Sequence, residues 1–175
     1  TSSGEITIQS GVTVTVNGAI DNQGTIIIED GASLIQTGTT DNNSGSGTYT
    51  IARTGNNTSD VYNIWSSPIQ SAAQTIVFND ANACDIWTFD GQSQSWLYDY
   101  VGGANINCQG SSVTVPSTWT ISGGDNIMNP AKGYFVPGST TATRSFTGAV
   151  NNGTITTPIY TTSLGNNPNW DEDDW

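Results

Sequence analysis

The chain has 175 residues, 34% of them hydrophobic, with a net charge of -12 at neutral pH and no histidine. Because Arg53, Lys132 and Arg144 are its only cations, it lacks the clustered basic residues that bind nucleic acid, and an anionic membrane surface would repel it. The lack of histidine excludes Ser–His and Cys–His nucleophile pairs. The sequence contains no run of 18 apolar residues, so no membrane span is predicted.

Near its start the chain contains a phrase of 20 residues that occurs twice in succession, that is, a tandem sequence repeat. GEITIQSGVTVTVNGAIDNQ, residues 4–23, is followed by GTIIIEDGASLIQTGTTDNN, residues 24–43, with Gly, Ile and Asn at matching places. The alternating runs between the glycines are typical of β-strands that are too short to bury their own apolar face. If the two copies stack, equivalent apolar residues lie beside each other and are buried together. This predicts a short β-solenoid-like repeat over residues 1–55, with a further turn in GTYTIARTG, residues 47–55. A plain antiparallel meander is the alternative.

Aromatic residues become frequent after residue 55, and runs such as DIWTFD, SWLYDY and GYFVPG are typical of strands between turns. No stretch repeats apolar residues at helical spacing, so the whole chain is predicted to be all-β. We expect a β-sandwich-like domain over residues 56–165, with a last hairpin over residues 144–160. Alternation places Trp87 and Phe89 on one face of their strand, and we expect this face to be core.

Residues 166–175 form an acidic C-terminal tail. Carboxylates are preferred calcium ligands, so this tail supplies candidate ligands for a calcium ion: Asp171, Asp173 and Asp174. Their spacing lacks the alternate-residue pattern of a calcium loop, and a solvated run of like charge is the competing interpretation. No other cofactor is expected.

The two cysteines, Cys84 and Cys108, form an even pair in a chain that is rich in Thr and Asn. This composition is typical of extracellular proteins and favours one disulfide. Two separate buried thiols are the alternative.

Four phrases, in this order and after the leading repeat, carry a resemblance to a known family: VYNIWSSPIQ (61–70), IWTFDGQSQSW (86–96), NIMNPAKGYFVPG (126–138) and FTGAVNNGTITTPI (146–159). The chain resembles a repeated β-rich module of large secreted proteins of Bacteroidetes, notably flavobacteria. Such proteins are commonly exported by the type IX secretion system and include adhesin-like and structural proteins of the cell surface. The resemblance implies a secreted, cell-surface location. Because the chain opens within a repeat, we expect it to be a piece of a longer precursor.

These features predict a non-catalytic structural or adhesive module, whose partners are copies of itself or neighbouring modules of a longer chain. Head-to-tail stacking of such modules would give an open filament. The alternative is a carbohydrate-binding module of a secreted enzyme that binds surface glycans. Its candidate rings are Trp65, Trp119 and Tyr134, although aromatic residues on strands also build cores. Glycoside hydrolysis by a pair of Asp residues is a third hypothesis.

Overall fold

The computed structural model describes residues 4–59, 61–80, 86–90, 95–100, 121–123, 127–139 and 142–157. Within these ranges the chain forms thirteen strands and one helix of four residues, so the protein is all-β. In chain order they are β1 (Glu5–Ile8), β2 (Thr13–Val16), β3 (Thr25–Ile28), β4 (Ser33–Gln36), β5 (Thr48–Thr54), β6 (Tyr62–Trp65), β7 (Ala72–Ala73), α1 (Gln74–Val77), β8 (Trp87–Asp90), β9 (Ser95–Tyr100), β10 (Ile121–Gly123), β11 (Ile127–Met128), β12 (Tyr134–Pro137) and β13 (Thr143–Gly148).

The two copies of the 20-residue phrase, repeat 1 (residues 4–23) and repeat 2 (residues 24–43), lie side by side. β1 pairs with β3 and β2 pairs with β4, both in parallel and both with an offset of 20 residues. Each strand residue of repeat 1 therefore lies beside its equivalent in repeat 2. β5 continues the first sheet in parallel with β3, and β13 completes it as an antiparallel strand, in the order β1-β3-β5-β13.

The same turn joins the two strands of each repeat. The N–H groups of Val12 and Ala32 donate to the carbonyl three residues earlier, at 3.0 and 2.9 Å. Gly11 and Gly31 have φ values of 80° and 77°, a conformation that residues with a Cβ adopt only at a cost. The Gly11 N–H donates to the Gly31 carbonyl at 3.2 Å, so the turns are stacked as the strands are.

A ladder of apolar side chains runs through this sheet. Ile8, Ile28, Ile51 and Phe146 occupy one register position on its four strands, and all four are buried. Cross-strand neighbours of this kind are the unit of sheet stabilisation. The ladder therefore explains why the repeat carries isoleucine at the same position in both copies.

The second sheet has five strands in the order β10-β9-β8-β12-β6. Its inner face packs into the same core as the first sheet, because the Trp65 ring lies 6.3 Å from that of Phe78 and 6.4 Å from that of Phe146, between centroids. β13 belongs to the region predicted as a second domain, residues 56–165, yet it pairs with β5. The predicted boundary at residue 55 therefore does not separate the hydrogen-bonded sheets.

The predicted last hairpin is corrected. β13 occupies its first half, but the strand pairs with β5, and residues 151–157 form no strand. Instead the Thr154 N–H donates to the Thr39 carbonyl at 2.9 Å. The segment after β13 therefore turns back against repeat 2.

The predicted core face of β8 is also corrected. Ile86 and Thr88 are buried, whereas Phe89 is 46% exposed and Trp87 is partly exposed. Trp87 and Phe89 do share a face, but it is the outer one. The inner side of this sheet is instead filled by Trp65, Tyr134 and Val136, for example.

Candidate interaction surface

One end of the first sheet exposes side chains that are buried one repeat further on. Ile6 is 63% exposed, while its partner in repeat 2, Ile26, is 8% exposed. Val12 is 44% exposed, while Ala32, 20 residues later, is 2% exposed. We name this surface, formed by Gly4, β1 and β2, the open end.

The backbone of β1 is unpaired on one side. Its Gly4 and Ile8 carbonyls accept hydrogen bonds from repeat 2, at 2.9 and 3.0 Å. Successive residues of a parallel strand direct their N–H and C=O groups to opposite sides, so Glu5 and Thr7 direct theirs away from β3. Among the described residues no strand pairs with this edge, and an edge of this kind is a template for a further strand.

A column of glycines marks where one strand pair stacks on the next. A Cβ on Gly24 would lie 2.0 Å from the Gly4 carbonyl oxygen, and a Cβ on Gly47 would lie 2.3 Å from the Gly24 oxygen. A Cβ on Gly4 would meet nothing within 4 Å. Next to Gly4, at the open end of the column, there is therefore space that a further repeat would fill.

The open end carries little charge. Glu5 and Asp21 are the only charged residues of repeat 1, in a chain whose net charge is -12. In repeat 2, the Glu29 carboxylate accepts from the Ser10 N–H at 3.0 Å and the Asp30 carboxylate accepts from the Thr54 N–H at 3.0 Å. Two like surfaces of this kind can approach each other with little repulsion.

At the other end of the sheet, α1 and β7 pack against the edge strand β13, which carries a buried cation. Arg144 on β13 is 3% exposed and forms an ion pair with Asp80. Its second amino group, Nη2, donates to the Ser139 hydroxyl at 2.8 Å, and its guanidinium lies 5.6 Å from the Phe78 ring centroid. This network fixes the segment after α1 against β13, so we name it the closed end.

A cleft of about 400 Å³ lies between repeat 2, β5 and the segment after β13. Its described lining contains no carboxylate, and Arg53 is the only charged side chain in it. Arg53 donates to the carbonyls of Ala32 at 3.0 Å and of Glu29 at 3.3 Å, so it completes the backbone hydrogen bonding of repeat 2. The cleft offers polar amide contacts but no acid–base pair.

Two of the three candidate sugar-stacking rings are core residues. Trp65 is 8% exposed and Tyr134 is fully buried. The Tyr134 hydroxyl accepts from the Asn129 N–H at 2.7 Å, and the Lys132 ammonium lies 5.4 Å from its ring centroid. A ring whose faces are covered cannot stack on a sugar, so the predicted role is corrected for both residues.

The remaining predicted site residues lie outside the described residues: Trp119, Cys84, Cys108, Asp171, Asp173 and Asp174. Within the described ranges, no group of three or more Cys, Asp or Glu side chains could hold a metal ion. Nor does any helix there have the length and apolar character needed to cross a bilayer.

Paired parallel strands, an uncovered edge and a shared core define a β-protein built on a repeated strand pair. A family model matches residues 1–175, and the chain belongs to this family, which is described as a domain of unknown function (DUF8693). No curated protein and no solved structure matches the chain.

Proposed function

We propose that this protein is a non-catalytic structural or adhesive module of the extracellular cell surface. In this proposal the N-terminal repeats are a short β-solenoid, the region after residue 55 is a β-sandwich-like unit, and the open end joins a second copy of the chain. The resemblance to secreted surface proteins supports the location. The observation that carries the joining role is the contrast between Ile6, which is exposed, and Ile26, which is buried beside it.

Three features of the open end favour another copy as its partner. The unpaired backbone groups of Glu5 and Thr7 can complete their hydrogen bonds with a further strand. The exposed Ile6 and Val12 side chains gain apolar contact when that strand is added. The low charge of repeat 1 keeps the local repulsion at the open end smaller than elsewhere on this acidic chain.

The closed end limits the form of the assembly. β13 packs against α1 and β7, and Arg144 is buried there. Stacking through the open end alone therefore joins two copies. A filament needs a second contact elsewhere on the surface.

A charge placed on the open end tests the proposal. Ile6→Lys puts an ammonium group on a residue that is 63% exposed, so the fold should be retained while the added strand would meet a charge. Ile76→Lys is the matched control, because Ile76 is 72% exposed and lies on α1, away from the open end. The measurement is mass in solution by sedimentation velocity over a wide range of protein concentration.

We expect the wild type and Ile76→Lys to form a dimer or larger species, and Ile6→Lys to stay monomeric. Unfolding in urea should show both variants within about 0.5 kcal/mol of the wild type. A wild type that is monomeric at every concentration would contradict self-assembly. Equal association of Ile6→Lys and the wild type would show that the contact lies elsewhere.

A further inference from the structure

The outer face of the five-stranded sheet is a second exposed apolar surface, separate from the open end. It lies on β6, β12 and β8, whereas the open end lies on β1 and β2. Tyr62 is 49% exposed, Ile64 is 66% exposed and Phe89 is 46% exposed. An exposed surface of large apolar side chains is unusual on a protein that has no partner for it.

The register of the strands brings these side chains together. Phe135 on β12 pairs with Ile64 on one side and with Trp87 on the other, so the three form a row across the sheet. Neighbouring strands are about 4.8 Å apart, so the members of this row are in contact distance. Phe89 lies two residues beyond Trp87, on the same face of β8. We name this set of residues, together with Tyr62, the aromatic face.

The chemistry of the aromatic face favours one class of partner. Four of its five side chains are aromatic, and none of the five is charged. A polyanion would be repelled by a chain with a net charge of -12, and the face offers no cation to hold one. A neutral sugar ring, in contrast, has an apolar C–H face that packs on an aromatic ring, while its hydroxyls remain in water.

The position of these side chains on one face of the sheet also matters for the choice of partner. Side chains on one face of a sheet stand on a common surface, so the rings of adjacent strands can contact successive units of an extended chain. Among the five residues named in the face, Ile64 is the only aliphatic one, and none is Leu or Met, whose side chains adapt to the uneven surface of a protein partner. We propose that the aromatic face binds a neutral polysaccharide by stacking of its rings on the sugars.

This site differs from the one that the sequence predicts. Trp65 and Tyr134 lie on the buried side of the same sheet, whereas the aromatic face lies on its opposite side. Polysaccharide binding at the aromatic face does not depend on the open end, so its test is independent of the test of self-assembly.

Affinity electrophoresis of the whole chain tests the proposal, with a neutral polysaccharide cast into the gel. The probes are hydroxyethyl cellulose, xylan and soluble starch, with alginate as the polyanionic comparison. We expect retardation by at least one neutral polymer and none by alginate. Phe89→Ala and Tyr62→Ala should each weaken this retardation about tenfold.

Two further variants distinguish stacking from general apolar contact. Phe89→Leu keeps most of the apolar area but removes the flat ring, so it should lose binding as Phe89→Ala does. Ile76→Ala removes an exposed apolar side chain outside both the aromatic face and the open end, so it should bind as the wild type does. A thermal melt of each variant checks that it is folded.

Three results would overturn the proposal. The first is no retardation of the wild type by any neutral polymer. The second is retention of binding in Phe89→Leu together with its loss in Phe89→Ala, since this would indicate simple apolar contact. The third is a self-association that Phe89→Ala abolishes, since this would make the aromatic face a contact between copies.

Discussion

The two ends of the first sheet are built from similar strands and end in opposite ways. At the open end, β1 exposes Ile6 and leaves one side of its backbone unpaired. At the closed end, β13 places Phe146 over the isoleucine ladder and secures itself through the buried Arg144. Among the described residues, repeat 1 has a neighbouring strand pair on one side only.

The comparison shows that equivalent residues of the two repeats can differ in burial, although Ile8, also on β1, is as buried as Ile28. Ile6 and Ile26 have the same side chain at the same place in the repeat, yet their exposed fractions are 63% and 8%. Burying such a side chain fully is worth about 1.5–3 kcal/mol. Because Ile6 is 63% exposed, roughly two-thirds of this free energy remains to be gained at the open end when a further strand is added.

The largest effect is expected at the closed end. Arg144→Ala would remove the ion pair between Arg144 and Asp80 and the hydrogen bond from Nη2 to the Ser139 hydroxyl. Breaking a buried pair by removing one partner costs about 3–5 kcal/mol, and because the Asp80 side chain is 23% exposed the loss should lie at the lower end of this range. Urea unfolding measures the loss, and a change below about 1 kcal/mol would show that the network does not close this end.

A smaller effect, with a clearer control, is expected from the same substitution made separately in each repeat. Ile26→Ala removes a buried side chain and should destabilise the fold by about 2–5 kcal/mol. Ile6→Ala removes an exposed one and should cost less than about 1 kcal/mol in the monomer. Both are measured by urea unfolding at a low protein concentration, and equal losses would mean that the open end is covered.

The glycine column gives a second matched pair. Gly24→Ala would place a Cβ 2.0 Å from the Gly4 carbonyl oxygen, so the strands must move apart, at a cost of about 1–3 kcal/mol. Gly4→Ala meets nothing within 4 Å and should stay within about 0.5 kcal/mol of the wild type. Thermal unfolding of the two variants compares them directly. A loss in Gly4→Ala as large as that in Gly24→Ala would contradict open space above Gly4.

The smallest effect is expected at Tyr49, in the middle of the stack. Its hydroxyl is buried and, within the described part of the chain, has no hydrogen-bond partner. Tyr49→Phe should therefore leave the fold as stable as before or stabilise it by about 1 kcal/mol. A clear destabilisation would indicate that the hydroxyl is bonded.

The pH dependence of folding stability, compared between the wild type and Tyr49→Phe, tests the burial of the same phenol independently. Burial raises the pKa of the Tyr49 phenol above its ordinary value of 10.0. The folded state therefore keeps this proton after the unfolded chain has lost it, so stability falls as the pH rises above about 10. Tyr49→Phe should show a smaller loss over this alkaline range, measured as the urea midpoint at several pH values.

The sequence predicted the repeat well because the signal is local. Gly4 aligns with Gly24 and Ile8 with Ile28 in the sequence, and the strands pair at the same offset of 20 residues. A parallel strand, β5, lies within residues 47–55, where the alternation of apolar side chains predicted a further turn of the repeat. The pairing of equivalent strands from the two repeats follows from the 20-residue period alone.

The partner of β13 could not be predicted in the same way. Its sequence alternates as any edge or central strand does, and nothing local indicates that it pairs with β5 and not with the residues after it. The faces of β8 show the same limit. Alternation places Trp87 and Phe89 together, but whether that face is inner or outer depends on which side Tyr134 and Val136 fill.

The most direct test of the open end is amide hydrogen exchange at Glu5 and Thr7, measured by NMR at several protein concentrations. The account predicts that both amides exchange rapidly in dilute solution and become protected as copies assemble, while the Ile27 amide, which faces β1 in the stack, is protected throughout. Rapid exchange of Glu5 and Thr7 at every concentration, with Ile27 still protected, would contradict strand addition at this edge.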